Sequence, residues 1–325
     1  MAEATYLRDD DRFELAAEAS LSAGQVVQVP SGEAAFLDQK TAVSTGARTD
    51  QLRTRGKATL AAATGVVLLA GQEAYWDHSA NNVTFEKVND RDFFVGIVIA
   101  DKPSAQTWVY VDLNKRQHYA IDLARDWFDT ATVGTHAAGA SGFSDPKPRG
   151  GGYKLLLSST NEAQKLDLFS RDRFAVAANW IAEFVFTPVS VGAGTAPDFD
   201  IGVAVATDSD NFDDIAEFVS VHLDGNASDL FAQSDDGTTD VALVDTTVNV
   251  TAGSAVANRV HVLIDGRNPA DVQIYVNGAL VLDATTFTLA AATGPLGLIA
   301  HLEKSAAADT FEVDVETARC WLAEQ

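Results

Sequence analysis

The chain has one cysteine, Cys320, in 325 residues, so no internal disulfide can form and stability must come from packing or from partner subunits. Basic side chains are also scarce: 23 Lys and Arg stand against 46 Asp and Glu, a formal net charge of -23. A polyanion of this kind is repelled by nucleic acid and by anionic lipid, which excludes both as non-specific partners. Long apolar runs are missing. The longest, ATLAAATGVVLLAG at 58–71, is broken by Thr and Gly and is too short to cross a bilayer. The opening MAEATYLRDDDRF has neither a basic n-region nor an apolar h-region, so no secretory leader is expected and the product reads as soluble and made in a cytoplasm. No Gly-rich loop leads into Lys-Ser or Lys-Thr, so a nucleotide-phosphate cradle is absent from the motifs.

What is present is apolar residue in quantity, 46% of the chain with 17 Phe, enough at this length for two cores. Its period is close to two. QVVQV (25–29), FFVGIVIA (93–100), TWVYVDL (107–113), DIGVAVAT (200–207), EFVSVHL (217–223), RVHVLID (259–265) and VQIYVNGALVLD (272–283) all read as strands between Gly, Asn, Asp and Pro clusters. Asn277-Gly278 suits a type I′ hairpin, in which both central residues need positive φ. The one segment with helical character is NEAQKLDLFSRD (161–172), which predicts a turn or two of helix. The fold class expected is all-β.

Charge divides the chain unevenly. Residues 1–117 carry 12 basic and 16 acidic groups, a net of -4, while 118–325 carry 11 and 30, a net of -19. Between Arg173 and Arg259 there is no Lys or Arg and there are 14 Asp and Glu. We therefore divide the chain into domains at 1–117 and 118–325, with the Gly/Pro-rich GASGFSDPKPRGGG (139–152) as a loop inside the second. The acidic half resists close packing and stays hydrated, which leaves the near-neutral half as the one suited to a permanent contact. In it, GARTDQLRTRGK (46–57) gathers Arg48, Arg53, Arg55 and Lys57 against one acid, Asp50. These four cations are candidate contacts to an acidic partner surface; a solvated loop and strand edge is the plainer alternative.

GQEAYWDHSANNVTF (71–85) sets Tyr75, Trp76, Asp77 and His78 before Asn81 and Asn82. As a catalytic corner it would need a partner for His78, and the other five histidines, at 118, 136, 222, 261 and 301, all fall in the second half. As a turn it is well supplied, because Asp and Asn side chains bond nearby backbone while Tyr75 and Trp76 pack against the small residues Ala61–Ala63. The succession of this stretch with FELAAEASLSAGQVVQVPSGEAAFL before it and FVGIVIADKPSAQTWVYVDLN after it resembles a family of small tailed-phage capsid decoration (cement) proteins, catalogued as domain of unknown function 2190. The likeness covers about residues 5 to 114 and makes Tyr75, Trp76, Asp77 and Asn81 a fold signature. It implies a small β-barrel or β-tulip-like domain, no catalytic chemistry, assembly as a homotrimer, and the major capsid protein as partner on the outer surface of a virion.

Residues 118–325 carry turn signals at the spacing of a β-sandwich or barrel. NRVHVLIDGRNPADVQIYVNGALVLDATTFTL, then GPLGLIAHLEK, then FEVDVETARCWL, resembles the concanavalin A-like (laminin-G-type) jelly roll. That resemblance implies a fold, and by analogy alone a host-surface glycan as partner. In FEVDVE, Phe311, Val313 and Val315 alternate with Glu312, Asp314 and Glu316. The acidic row is similar to the E-x-D-x-E strand of family 16 glycoside hydrolases, which would make Glu312 and Glu316 the catalytic pair. It lies in the last strand, whereas that motif lies mid-domain, and the reading preferred is a solvated acidic face. TDSDNFDD (207–214) offers Asp208, Asp210, Asp213 and Asp214, hard oxygens suited to calcium, but lacks the Gly and closing Glu of an EF-hand loop. No other cofactor has candidate ligands, and an acidic loop without a metal is the commoner arrangement. A non-catalytic virion structural protein is the function expected, a virion lectin the alternative, and a polysaccharide hydrolase the third.

Overall fold

The computed structural model describes residues 12–17, 20–38, 41–126, 128–134, 142–144, 152–194, 197–208 and 211–323. The chain divides into two compact units, Met1–Gln117 and His118–Gln325. Strands dominate both, and among the described residues the only helical elements are single 3-10 turns at Phe212–Asp214 and Val256–Asn258.

The first unit holds β1 (Arg12–Ala16), β2 (Val26–Gln28), β3 (Ala34–Leu37), β4 (Arg48–Arg53), β5 (Lys57–Ala61), β6 (Glu73–Asp77), β7 (Asn82–Thr84), β8 (Phe93–Val98) and β9 (Trp108–Leu113). They form a four-stranded sheet, β1-β4-β3-β2, and a five-stranded sheet, β5-β9-β8-β6-β7. Alternation decides what is buried. In β9, Val109, Val111 and Leu113 enter the core while Trp108 and Tyr110 face outward. Leu60, Trp76, Val83, Val95, Val109 and Val111 share one core cluster, which Ala34 of β3 joins. Asn114, at φ 55°, fixes that junction. Its Nδ2 donates to the carbonyls of Ala34 (2.8 Å) and Thr54 (2.6 Å), and its Oδ1 accepts from the Ala34 N–H at 2.9 Å.

The second unit holds β10 (Ile121–Asp122), β11 (Phe128–Val133), β12 (Gly142–Ser144), β13 (Tyr153–Leu157), β14 (Glu162–Ser170), β15 (Trp180–Ser190), β16 (Pro197–Ala204) and β17 (Glu217–Asp224). It continues with β18 (Asp229–Asp236), β19 (Asp240–Asn249), β20 (Val260–Asp265), β21 (Gln273–Val276), β22 (Ala279–Val281), β23 (Gly297–Ala307) and β24 (Phe311–Leu322). An eight-stranded sheet runs β12-β13-β24-β15-β20-β21-β22 with β10 beside β24, and a seven-stranded sheet runs β11-β14-β23-β16-β17-β18-β19. Trp180, Phe184, Phe186 and Phe311 of the first meet Leu168, Phe199, Ile201 and Leu298 of the second in one core. This is an antiparallel jelly-roll sandwich. The β21–β22 hairpin turns on Asn277 and Gly278 at φ 49° and 76°, as a type I′ turn requires.

Two expectations are corrected. NEAQKLDLFSRD is not helical: Glu162–Ser170 is a strand paired on both sides, to β11 and β23. Both faces of this strand are buried and both carry polar residues, with Gln164 and Ser170 on the core side and Lys165 and Asp167 on the other. Alternation is thereby erased from the sequence. Within the 139–152 run, Gly142–Ser144 is a strand paired with Lys154–Leu156 rather than loop, and the rest of the run except Gly152 lies outside the described residues. No helix among the described residues is long and apolar enough to cross a membrane.

Candidate functional site

The Tyr-Trp-Asp stretch is the β6–β7 hairpin. Trp76 is buried in the core with Ala62, whereas Tyr75, one residue earlier, points to the opposite face and meets Phe94 edge-on at 5.9 Å. One oxygen of Asp77 accepts from the Ser79 N–H (2.7 Å), the Ser79 hydroxyl (2.6 Å) and the Ala80 N–H (2.9 Å). The Ser79 hydroxyl bond, then the Ala80 N–H, hold its carboxyl below the usual range. Asn81 takes φ 54° to close the turn. The chemistry of this corner is spent on geometry.

Of the four cations, Arg53 is held by Asp38 through Nη2 at 2.7 Å and Nε at 3.1 Å. Arg48 on β4, Arg55 in the following turn and Lys57 on β5 are exposed. Lys57 shares a sheet face with more than charge. Register sets Ala61 opposite Trp108, Thr59 opposite Tyr110 and Lys57 opposite Asp112, so these six side chains lie on one side of β5 and β9. Trp108 and Tyr110 are 39% and 45% exposed and stack edge-on at 4.7 Å. The sequence reading missed this pair, although the alternation of TWVYVDL places both rings opposite the buried valines.

The outer face of the seven-stranded sheet in the second unit carries a row of titratable groups. Register aligns Asp167, His301, Asp200 and His222 across four adjacent strands, β14, β23, β16 and β17. His301 Nδ1 lies 2.6 Å from Asp167 Oδ1 and its Nε2 lies 3.0 Å from Glu303 Oε2. His222 Nδ1 lies 3.0 Å from Asp200 Oδ2 and its Nε2 lies 2.9 Å from Asp224 Oδ1. Asp200 Oδ1 accepts from the Ser220 hydroxyl at 3.0 Å and from Gln233 Nε2 at 3.1 Å. The segment 205–216 accounts for part of this burial. Phe212, in its 3-10 turn, stacks on Phe218 (4.8 Å) and His301 (5.5 Å), in a small second core with Phe169, Ala204, Ile215 and Ile299.

That segment contains the aspartates read as calcium ligands. Asp208 accepts from the Asn211 N–H at 3.3 Å, Asp213 accepts from Gln233 at 3.0 Å, Asp214 is exposed, and Asp210 lies outside the described residues. Among the described residues the group spaced for a metal is a different one: Asp198, His222 and Asp224.

His301 and His222 each have a carboxylate oxygen within 3.0 Å of both ring nitrogens, an arrangement that favours the doubly protonated ring. Burial opposes the charge on His301, but Asp167 and Glu303 overcome it and raise its pKa to about 9. His222 is raised to about 10, again against burial, by Asp200, Asp224 and Asp198. Burial, then repulsion from Asp224, Asp200 and Glu303, raise Asp198 to about 7, with His222 pulling the other way. A histidine raised in the folded state stabilises fully below its unfolded pKa of about 6.5 and loses that contribution as pH rises through the folded value. The Tm is therefore expected to fall from about pH 6.5 to 9.5, and His301→Gln is expected to flatten the part of the fall near 9. A wild-type Tm independent of pH over that range would contradict the assignment.

Glu312 and Glu316 lie on β24, which is central in its sheet between β13 and β15. Phe311, Val313 and Val315 are in the core, as alternation requires. The acidic face is not a freely solvated one: Asp314 is buried, Glu312 pairs with Lys154, and Glu316 accepts from Thr187 (2.9 Å) and Arg259 (2.7 Å). One cation, Lys154, comes from the adjacent strand β13, and the other, Arg259, from the residue before β20, one strand further on. Both carboxylates read as a catalytic pair are thus engaged in ion pairs, Glu312 with Lys154 and Glu316 with Arg259.

The outer face of this eight-stranded sheet also buries Glu183. It is bonded to His261 Nε2 at 2.7 Å and to Arg319.

With this geometry established, comparison with known proteins bears on the first unit. Residues 8–113 match the phage cement protein family. No curated protein matches the chain. Among solved structures, a Bacillus subtilis protein of unknown function with a galectin-like fold is similar at 10% identity, with 64% of this chain and 97% of that one covered and a TM-score of 0.41. An endo-acting O-glycanase structure from human gut microbiota is similar at 12% identity, with 64% and 100% covered and a TM-score of 0.44. The Emp47p carbohydrate recognition domain is similar at 13% identity, with 62% and 94% covered and a TM-score of 0.39.

Proposed function

We propose that the chain is a non-catalytic structural protein of a tailed-phage virion, attached by its cement-like unit to the outer surface of the capsid. The observation that carries this is the family match over residues 8–113. The partner is the major capsid protein. The paired rings of Trp108 and Tyr110, with Lys57 on the same face, have the composition of a protein contact: aromatic residues carry much of the energy at such surfaces. Arg48, Arg53 and Arg55 supplement it by attraction to acidic coat groups. Self-association as a homotrimer would give each attachment three such faces. The second unit, with net charge -19 over 118–325, then keeps the decorated surface hydrated and mutually repelling.

Full-length protein mixed with capsids stripped of decoration is expected to bind saturably. Trp108→Ala with Tyr110→Ala is expected to weaken binding at least about tenfold while leaving the Tm of the second unit unchanged. Absence of saturable binding by the wild type at micromolar concentration rejects the reading.

A second reading, that the virion protein also binds a host-surface glycan, is favoured by one feature. A cavity lined by Asp213, Gln233, Asp235 and Asp240 beside Phe218, Ala242 and Leu243 sets hydrogen-bonding groups next to apolar ones, as sugar sites do. Silence of the intact chain on an array of bacterial polysaccharides would remove it and leave the structural role.

A further inference from the structure

Asp198, His222 and Asp224 offer one ligand atom each within 4.8 Å of one another. Strand register builds the group. Asp198 of β16 lies directly opposite Asp224 of β17, and His222, two residues before Asp224, shares its face. The turn beyond is tight: Gly225 donates to the Pro197 carbonyl at 2.6 Å, and a Cβ on Gly225 would sit 2.7 Å from that oxygen and 2.6 Å from the Gly194 carbonyl. The backbone beside both carboxylates is thereby fixed before any ligand arrives.

The histidine is oriented from behind by a residue outside the group. Asp200 holds its Nδ1 at 3.0 Å, and Ser220 and Gln233 in turn hold Asp200. A carboxylate on the far nitrogen is the usual companion of a metal-bound imidazole, because it fixes the tautomer and turns the other nitrogen toward the ion. Here Nε2 is turned toward Asp224, whose side chain is 43% exposed, and Asp198 beside it is half-buried. The group is closed behind and open in front.

We propose that Asp198, His222 and Asp224 bind a divalent transition-metal ion, with zinc the favoured occupant. One imidazole nitrogen with two carboxylate oxygens is a ligand set that suits zinc, whereas calcium takes oxygen ligands in greater number. The two carboxylates bind in their ionised form, any proton on Asp198 leaving to solvent, and their two charges then balance the ion. On binding, the Nε2–H bond breaks, its electron pair passes to the metal and the proton leaves to solvent. Remaining coordination positions face outward and take water. None of Asp208, Asp213 and Asp214 contributes to this group.

The test is titration of untagged, chelator-washed full-length protein with zinc chloride by calorimetry, with calcium chloride in parallel. We expect a single saturable zinc site of micromolar or tighter dissociation constant and calcium binding at least about tenfold weaker. Asp224→Asn, at an open position, is expected to keep the fold by circular dichroism and to lose at least about tenfold in zinc affinity. Asp200→Asn, which touches no ion, is expected to lose about 10-fold or more through the histidine it orients. A wild type with no stoichiometric zinc overturns the proposal. So does a folded Asp224→Asn that binds zinc as the wild type does, because the imidazolium would then serve only to bridge the surrounding carboxylates.

Discussion

Phe212→Ala is expected to lower the unfolding free energy of the second unit by about 3–5 kcal/mol, among the largest effects of any single change outside the main core. Phe212 is 1% exposed, although it lies in a short acidic segment that reads as loop. Its ring seals the outer face of the seven-stranded sheet over His301, and Phe169, Phe218, Ile215 and Ile299 close around it. Truncation leaves a void too constrained by the flanking strands to collapse, and it removes an apolar lid from a row of buried charges. Urea unfolding at neutral pH measures the change, and the neighbouring Asp214→Ala, at an exposed position, is expected to stay within about 0.5 kcal/mol of wild type. Equal midpoints for Phe212→Ala and Asp214→Ala would show that the segment does not seal the sheet.

The same residue shows why part of this molecule was legible in sequence and part was not. Alternation tells which way a side chain faces, so TWVYVDL, EFVSVHL and FEVDVE are read as strands and their buried sides follow. Alternation does not tell what lies over the far side. In the second unit the far side is itself buried, so Lys165 and Asp167 sit inside a strand whose pattern resembles a helix. Glu312 and Glu316, for the same reason, are half-buried and paired with Lys154 and Arg259. Register is the other missing quantity. Asp198 and Asp200 alternate with Phe199 and Ile201, and His222 and Asp224 follow the same rule on the next strand, so polar groups on one face were open to inspection. Only pairing brings Asp198 opposite Asp224. The aspartates of 207–214 drew notice because they are close in sequence, and closeness in sequence is the weaker guide in a sheet protein. In the first unit the basic run was visible while the aromatic pair beside Lys57 was not, because charge draws attention before exposure can be known.

Glu183→Gln is expected to be as costly as the loss of Phe212, about 3–5 kcal/mol at pH 7, and to carry a pH signature that a packing defect lacks. Burial alone would push this carboxyl up. The charge of Arg319, then the hydrogen bond and charge of His261, reverse that and bring it down to about 2. The glutamine keeps the shape and removes the charge, so the guanidinium of Arg319, which also stacks over Tyr119 at 4.6 Å, faces a neutral amide in a buried place. An acid depressed in the folded state contributes stability that is complete above its unfolded pKa of about 4.5 and is lost as pH falls through the folded value. The gap between wild type and Glu183→Gln should therefore be constant from about pH 7 to 5 and narrow as pH falls from about 4.5 toward 2. Urea unfolding of both proteins at about pH 7, 5, 4 and 3 reads this directly. A gap that stays the same at pH 3 would falsify the charge account and leave only a packing defect. A gap that closes on this schedule places a buried, ionised glutamate at the centre of the eight-stranded sheet, held there by Arg319 and His261 on the strands either side of it.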